Sequence, residues 1–216
     1  MNQQNAILLE LHYLPSIQYM SKFLAYEQVF IEQHEHYLKG SYRNRAHLAG
    51  ANGLLRLSIP LRKGKNEQQS ISQVAIAYDE PWYAHHWHSI RSAYSNSPFF
   101  PYYEDYFAPL FKKKTATLFD FNLELLQLLI ELLGLPEHFS LTENYEAQPT
   151  NALDFRNGIF PKKHRQKIDT HFEPVPYAQV FEEKNGFLPN LSILDLLFCT
   201  GPQAALVLEQ TIQAPN

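Results

Sequence analysis

An α/β fold is predicted by three patterns in this chain of 216 residues. The opening reads strand, helix, strand; an Asn-Gly pair between two extended runs marks a hairpin; and the second half is rich in helical periodicity. Residues 6–11 form a continuous apolar run broken only by Glu10, as a buried strand does. Pro15-Ser16 opens a helix with Ile17, Met20, Phe23 and Leu24 at helical spacing, and Val29-Phe30-Ile31 supplies the next strand. Elements in this order make a parallel crossover unit. The expected whole is an α/β core with a mixed sheet, a β-hairpin insertion and a helical second half.

Ala51-Asn52-Gly53 separates RNRAHLAG from LLRLSIPL, and in the second arm Leu55, Leu57 and Ile59 alternate with Arg56 and Ser58, as in a half-buried strand. A polar loop over 63–69, expected to be exposed and mobile, leads to a predicted strand at 71–77 built on Ile71, Val74 and Ile76. Asp79 and Pro81 open a helix running to Tyr94, with Trp82, His86 and Ile90 on one face and His85, His88 and Ser92 on another. Two interior prolines make the aromatic stretch 98–111 bent or short-helical. The next helix spans 118–133, its polar stripe Asp120, Glu124, Gln127 and Glu131 leaving most of its surface to be buried. Gly134 and Pro136 stop it.

Residues 139–145 read as a strand and 154–169 as a polar loop. Near the end Asn185-Gly186 marks a turn and Pro189 an extended approach. Asn190 or Ser192 then caps a helix over 191–199 that Gly201-Pro202 terminates. No linker or repeat divides the chain, so one domain over residues 1–216 is expected.

A formal charge of -4 gives no general basic field for duplex phosphates, although 112–114 and 161–165 are locally basic, so no nucleic-acid partner is expected. The single Cys199 excludes an internal disulfide and a cysteine zinc cluster, and suits a reducing compartment. The opening MNQQNAILLELHYLP lacks a basic n-region, which argues against a secretory signal and for the cytoplasm. Helix 118–133 carries Asp120, Glu124 and Glu131 and falls short of the ~20 apolar residues a span requires, so no membrane insertion is expected.

Two loops carry the chemistry. His12-Tyr13-Leu14-Pro15, followed by Gln18-Tyr19, lies where open α/β sheets bind ligands, and a helix start there offers free amides to phosphate. YLKGSYRNR, residues 37–45, sets Lys39, Arg43 and Arg45 around Gly40, and guanidinium groups hold phosphate or carboxylate through paired hydrogen bonds. Buried packing of His12 and Tyr13, and a solvated basic turn, are the plainer alternatives. Glu32, His34 and His36, and the cluster His85, His86 and His88, match no metal motif, so no metal ligand is assigned. An imidazole acting as general acid or base fits these histidines better. No GxSxG, Walker or GxGxxG motif occurs, and Cys199 in LLFCTG sits in an apolar setting that keeps a thiol inert.

In order, HYLPSIQYMSKFL, VFIEQHEHYLKGSYRNR, ANGLLRLSIPL, PWYAHHWHSIRSAYSNSPFFPYYEDYFAPLF and GFLPNLSILDLLFCTG together resemble the WbqC-like family, over about residues 9–201. The resemblance implies a bacterial protein acting in surface polysaccharide and O-antigen biosynthesis. It marks Tyr13, Pro15 and Tyr19 in the first loop, Tyr42, Asn44 and Arg45 in the basic turn, Trp82, His86 and Tyr94 on a helix, Pro98 and Phe99 after it, and Pro189, Asn190, Ser192 and Asp195 near the end. Relatives commonly carry Gln at His12 and Asn at Cys199. The opening is also similar in outline to nucleotidylyltransferase-like folds, though without HxGH, which favours a Rossmann-like core.

The expected activity is group transfer, acyl or aminoacyl, onto a hydroxyl or amine of a nucleotide-linked sugar. His86 or His12 would take the proton. Arg43 and Arg45, with the helix start at Ser16, would bind the anionic part of the small molecule, Asn44 and Asn190 would orient polar substituents, and Tyr42 and Trp82 would stack on a sugar face; Tyr13, Pro15, Gln18, Tyr19, Ser192 and Asp195 complete the ligand-binding set. A subunit that binds a glycan precursor or partner without catalysis is the alternative. No cofactor and no oligomeric state is specified. The helix start near Asn190 is expected to face the first loop and the basic turn across a shared cleft.

Overall fold

The computed structural model describes residues 5–64 and 68–213. The middle of the polar loop expected at 63–69 lies outside the described residues. Four parallel strands form the main sheet in the order β5-β2-β1-β6: β1 (Ala6–Glu10), β2 (Gln28–Glu32), β5 (Phe139–Leu141) and β6 (Leu153–Asp154). The β1 to β2 crossover is α1 (Ile17–Ala25), so the parallel unit stands where the opening pattern placed it. Antiparallel pairing is confined to a separate hairpin, β3 (Arg45–Gly50) with β4 (Gly53–Ser58). Gly53 takes φ +95, which releases the two-residue turn at Ala51 and Asn52 into the second arm.

Alternation along β1 and β2 sends Ile7, Leu9, Val29 and Ile31 into the main core. Leu8 and Phe30, paired in register, face the other way, over a cavity of ≈350 Å³ bounded by residues 140–152 rather than by a helix. Helices build the rest of the core: α2 (Trp82–Tyr94), α3 (Phe100–Phe107), α4 (Leu118–Leu133), the single turn α5 (Glu182–Asn185), α6 (Ile193–Thr200) and α7 (Ala204–Gln210). Phe198 of α6 is fully buried, with ring contacts to Tyr94, Phe100, Tyr103 and Phe107. Burying one such ring contributes about 1.5–3 kcal/mol.

Thr117 caps α4 by accepting from the Asp120 amide, and Gly134 ends it in the left-handed region at φ +62. These two signals fix the helix at the bounds its periodicity predicts. On α2 the Trp82, His86 and Ile90 face is buried while His85 and His88 are exposed; Pro81, not Asp79, is the capping position.

The predicted strand at 71–77 is a correction. Its apolar members Ile71, Val74 and Ile76 are buried, but Ile71–Gln73 is a 3-10 turn followed by isolated bridges of Ala75 to Thr117 and Ile76 to Leu61. The amide of Ile71 donates to Glu35 and that of Ile76 to Ala116, so no ladder forms. The expected strand at 139–145 stops at Leu141. The two-residue β6 falls at the edge of what the sequence reads as loop.

Candidate functional site

At the carboxyl ends of β1 and β2, where a Rossmann-like sheet usually opens to ligand, Glu10 and Glu32 are held in internal ion pairs. Arg43 is fully buried and grips Glu35 with Nε at 2.7 Å and Nη2 at 2.6 Å, with Glu10 3.8 Å from Nη1. His12, also buried, lies 2.9 Å from Glu10, whose other oxygen accepts from the Asn157 amide. Arg156 joins Glu32 at 3.0 Å to Asp154 at 2.8 Å. Burial works against the Glu10 carboxylate, but Arg43 and His12 hold it down to about 2, whereas burial pushes Glu35 up to about 7 against the pull of Arg43.

The open cleft lies elsewhere, against the outward face of the hairpin. It has a volume of ≈780 Å³ and is walled by β3 and β4, by residues 161–174 and by 189–191. Strand register builds the first wall: Arg45 pairs with Ser58 and His47 with Arg56, so these four side chains share one face. The opposite wall brings Lys162, Lys163 and Lys167. Asp169 is the carboxylate of the lining, and Lys22 neutralises it at 2.6 Å while Gln18 donates to it at 2.7 Å.

Three segments distant in sequence meet at this cleft. Ser16 and Ser192, each the cap of its helix, form an antiparallel bridge in which the Ile17 amide donates to Leu191 O and the Ile193 amide to Pro15 O. Asn190, at φ +54, accepts from the Gln18 amide and donates from Nδ2 to Gln18 Oε1. The Ser192 amide donates to His47 O, and the Tyr13 amide to Tyr42 O. The start of α6 therefore faces the first loop and the basic turn across one cleft, to which Gln18, Tyr42, Arg45 and Asn190 all contribute.

The same bonds overturn one expectation. The first-turn amides of α1, at Ile17, Gln18 and Tyr19, are taken by Leu191, Asn190 and Ser16, and those of α6 by Pro15 and Ser192. Neither helix start has an amide left for phosphate, so an anion bound here would have to be held by side chains.

Most of the remaining sequence candidates form the frame behind the cleft. Tyr13 donates to or accepts from His86 Nδ1 at 2.8 Å, and Trp82 packs against Tyr78, Tyr83, His86 and Phe121 with no ring face left for a sugar. Pro15 and Tyr19 are buried, and Ser192 is spent as a cap. Asn44 accepts from Tyr37 and donates to Ile59 O. Asp195 accepts from Tyr94 and Tyr177 at 2.7 Å and from Gln179 at 3.0 Å. Neither His12 nor His86 lines the cleft, and burial lowers both, His86 to about 4. Burial likewise pushes the Cys199 thiol up to about 12, which keeps it protonated.

The histidine that does line the cleft is His47, which the sequence reading passed over. Its Nδ1 is 3.1 Å from the Tyr42 hydroxyl, and burial, then Arg56 and Arg45, lower its pKa to about 4. It is a neutral imidazole between two cations. Two signals for it stood in the sequence: His47 lies two residues from Arg45 in an extended run, and the hairpin turn places Arg56 opposite. Among the described residues no group of three or more His, Cys, Asp or Glu side chains is placed to hold a metal ion, and no helix is long and apolar enough to cross a membrane.

The description WbqC-like protein family matches residues 11–167, which hold both cleft-forming arms of the hairpin and the basic run of the opposite wall. The chain belongs to the WbqC-like family. The matched span is shorter than the motif order suggests, and Asn190, Ser192 and Asp195 lie beyond it. Uncharacterized protein Rv1507c of Mycobacterium tuberculosis is similar to this WbqC-like chain, 24% identical over 213 residues that cover 89% of each chain. No solved structure matches.

Proposed function

We propose that this WbqC-like protein binds a nucleotide-linked sugar by its diphosphate and transfers an acyl or aminoacyl group onto a hydroxyl or amine of that sugar, in the cytoplasmic stage of bacterial surface polysaccharide assembly. The observation that carries the proposal is the cleft's charge: Arg45, Arg56, Lys162 and Lys163 line one space, with Lys167, whose Nζ donates to Asp154 O, at its wall, and the carboxylate Asp169 is already paired. Nε of Arg45 is buried without a hydrogen-bond partner, a cost that an anionic ligand would remove. The volume suits a small-molecule site.

In the transfer, the sugar's oxygen or nitrogen attacks the donor's carbonyl carbon and a C–O or C–N bond forms. The donor's bond to its leaving group breaks, with the electron pair going to that group. His47 is the proton acceptor in this scheme. With Nδ1–H donating to Tyr42, Nε2 keeps its lone pair for the attacking group's proton. Anion binding assists, because a bound diphosphate offsets Arg45 and Arg56 and so raises the basicity of His47.

Calorimetric titration with uridine diphosphate tests the anion site. Arg45→Ala should weaken binding at least tenfold, about 1.4 kcal/mol, with little change in thermal stability. Unchanged affinity would remove the cleft from consideration, and an unfolded variant would show that Arg45 is structural. The non-catalytic reading keeps one observation: Tyr102 and Tyr106, a helical turn apart on α3, are exposed, although Phe100, Phe107 and Phe111 of the same aromatic stretch are buried. Uridine diphosphate-sugar binding with no turnover of any acyl donor would favour it.

A further inference from the structure

A second cavity, of ≈650 Å³, adjoins the basic cleft, and the two have Arg45 and Ser58 in common. These two residues are directly opposed in the β3–β4 register, so a single cross-strand pair forms the waist between two lobes. The lobes differ in chemistry. The first carries Arg56 and the three lysines, whereas the second is bounded by Tyr37, Asn44, Ile59, Pro60 and Leu61, with Lys39 at its exposed rim. The Tyr37 and Asn44 part of its wall is uncharged and held in place, because Tyr37 donates to Asn44 and Asn44 to Ile59 O.

We infer that the second lobe is the subsite for the uncharged, hydroxyl-bearing part of the ligand, with Arg45 at the waist gripping the phosphate that joins it to the remainder in the basic lobe. This rests on the anion-site reading of the cleft. A carbohydrate ring presents apolar C–H faces and hydroxyl edges, which suit a wall made of a prolyl ring, a leucine and an asparagine-tyrosine pair. Among the described residues, the charged groups that line this lobe are Lys39 and the shared Arg45. Arg45 lines both lobes, and its Nε is buried without a hydrogen-bond partner. His47 stands one same-face position along β3 from Arg45, on the basic-lobe side of the waist.

The test compares uridine diphosphate with uridine diphosphate-N-acetylglucosamine in the wild-type protein and in Leu61→Trp, which puts an indole into the second lobe in the way of a sugar ring while leaving the basic lobe intact. Joining two weakly bound parts makes the second contact intramolecular. The sugar-bearing nucleotide should therefore bind at least tenfold more tightly than uridine diphosphate to the wild type, and equally to Leu61→Trp, whose affinity for uridine diphosphate is unchanged. A tenfold gain that survives in Leu61→Trp, or no gain in the wild type, would overturn the subsite.

N-Acetylglucosamine alone provides a reading independent of the anion site. It should shift the amide resonances of Lys39 and Leu61 in a heteronuclear spectrum and leave those of Lys163 and Arg56 in place. Absence of shifts at Lys39 and Leu61 sinks the second-lobe proposal whatever uridine diphosphate does. Failure of uridine diphosphate to bind, with those shifts present, sinks the anion reading and leaves the sugar subsite standing.

Discussion

Replacing Arg43 by Met should separate the two arginines of the basic turn, because the structure gives them opposite duties. The guanidinium of Arg43 is fully buried, makes two short bonds to Glu35 and stands 3.8 Å from Glu10. Methionine keeps much of the volume but strands both carboxyls, and breaking a buried pair in this way costs about 3–5 kcal/mol. For a chain of this length each kcal/mol lowers Tm by roughly 2–4 °C, so a fall of roughly 6–20 °C is expected.

The pH dependence identifies the cause. In the wild type Glu10 is held down to about 2, so the stability it contributes is present above the unfolded carboxylate range and is lost as pH falls toward 2. Burial already pushes Glu35 up to about 7; without Arg43 it rises further, and Glu10 rises from its depressed value, in the folded state. A carboxyl whose folded pKa exceeds its unfolded value penalises folding above the unfolded value and not below it. The stability gap between wild type and Arg43→Met should therefore be widest near about pH 8 and narrow toward about pH 4. Urea denaturation across that range measures it. A loss below about 1 kcal/mol, or a gap that does not change with pH, would refute the assignment of Arg43 to this buried charge cluster. Adding Glu35→Leu to Arg43→Met should recover part of the loss, since one stranded carboxylate is gone.

Three further outcomes are expected. Binding of uridine diphosphate should raise the pKa of His47 from about 4, giving proton uptake below neutrality that appears as a buffer-dependent binding enthalpy; a buffer-independent enthalpy contradicts it. Tyr94→Phe should cost about 1.5–3 kcal/mol in urea denaturation, because its hydroxyl donates to Asp195 and also accepts from the buried Ala49 amide. Tyr177→Phe should cost less, as Gln179 still donates to the same Asp195 oxygen. Gly201→Ala should cost at least about 2 kcal/mol, combining φ +55 with a Cβ placed 2.3 Å from the Phe99 ring, whereas Gly134→Ala, at φ +62 with open space around it, should cost about 1 kcal/mol. Equal losses at the two glycines would show that Phe99 moves aside freely.

Much of the fold was legible because its signals are local. α4 is bounded by a threonine cap and a left-handed glycine, and the hairpin by Asn52-Gly53, all within a few residues of the structure they determine. The segment 71–77 was misread because burial alone produces its apolar pattern; its amides turn to separate partners, which no periodicity records. β6 is too short for any period to show and exists through its register with Ile7 and Leu8. At the site, Gln18, Tyr42, Arg45 and Asn190 were visible as polar residues in turns and at helix starts. Arg43 was indistinguishable from Arg45 in sequence, since an ion pair to Glu35 leaves no spacing rule. The face shared by Trp82, His86 and Ile90 was read correctly, yet that same shared face is what buries His86 away from the cleft. His47 needed the strand register, which sets Arg56 opposite it.

The bridge between Ser16 and Ser192 has a consequence for synthesis on the ribosome. One wall of the cleft leaves the exit tunnel with the hairpin at Ser58, but Asn190 and the bridge that orients Gln18 emerge only after more than half the chain has followed. At about 5–20 residues per second that interval is on the order of ten seconds, and closing so long a loop delays the contact further. Until then α1 carries unsatisfied amides and the basic face of the hairpin lacks its frame. On the proposed anion-site reading, nascent chains should accordingly be blind to ligand until translation has passed the start of α6.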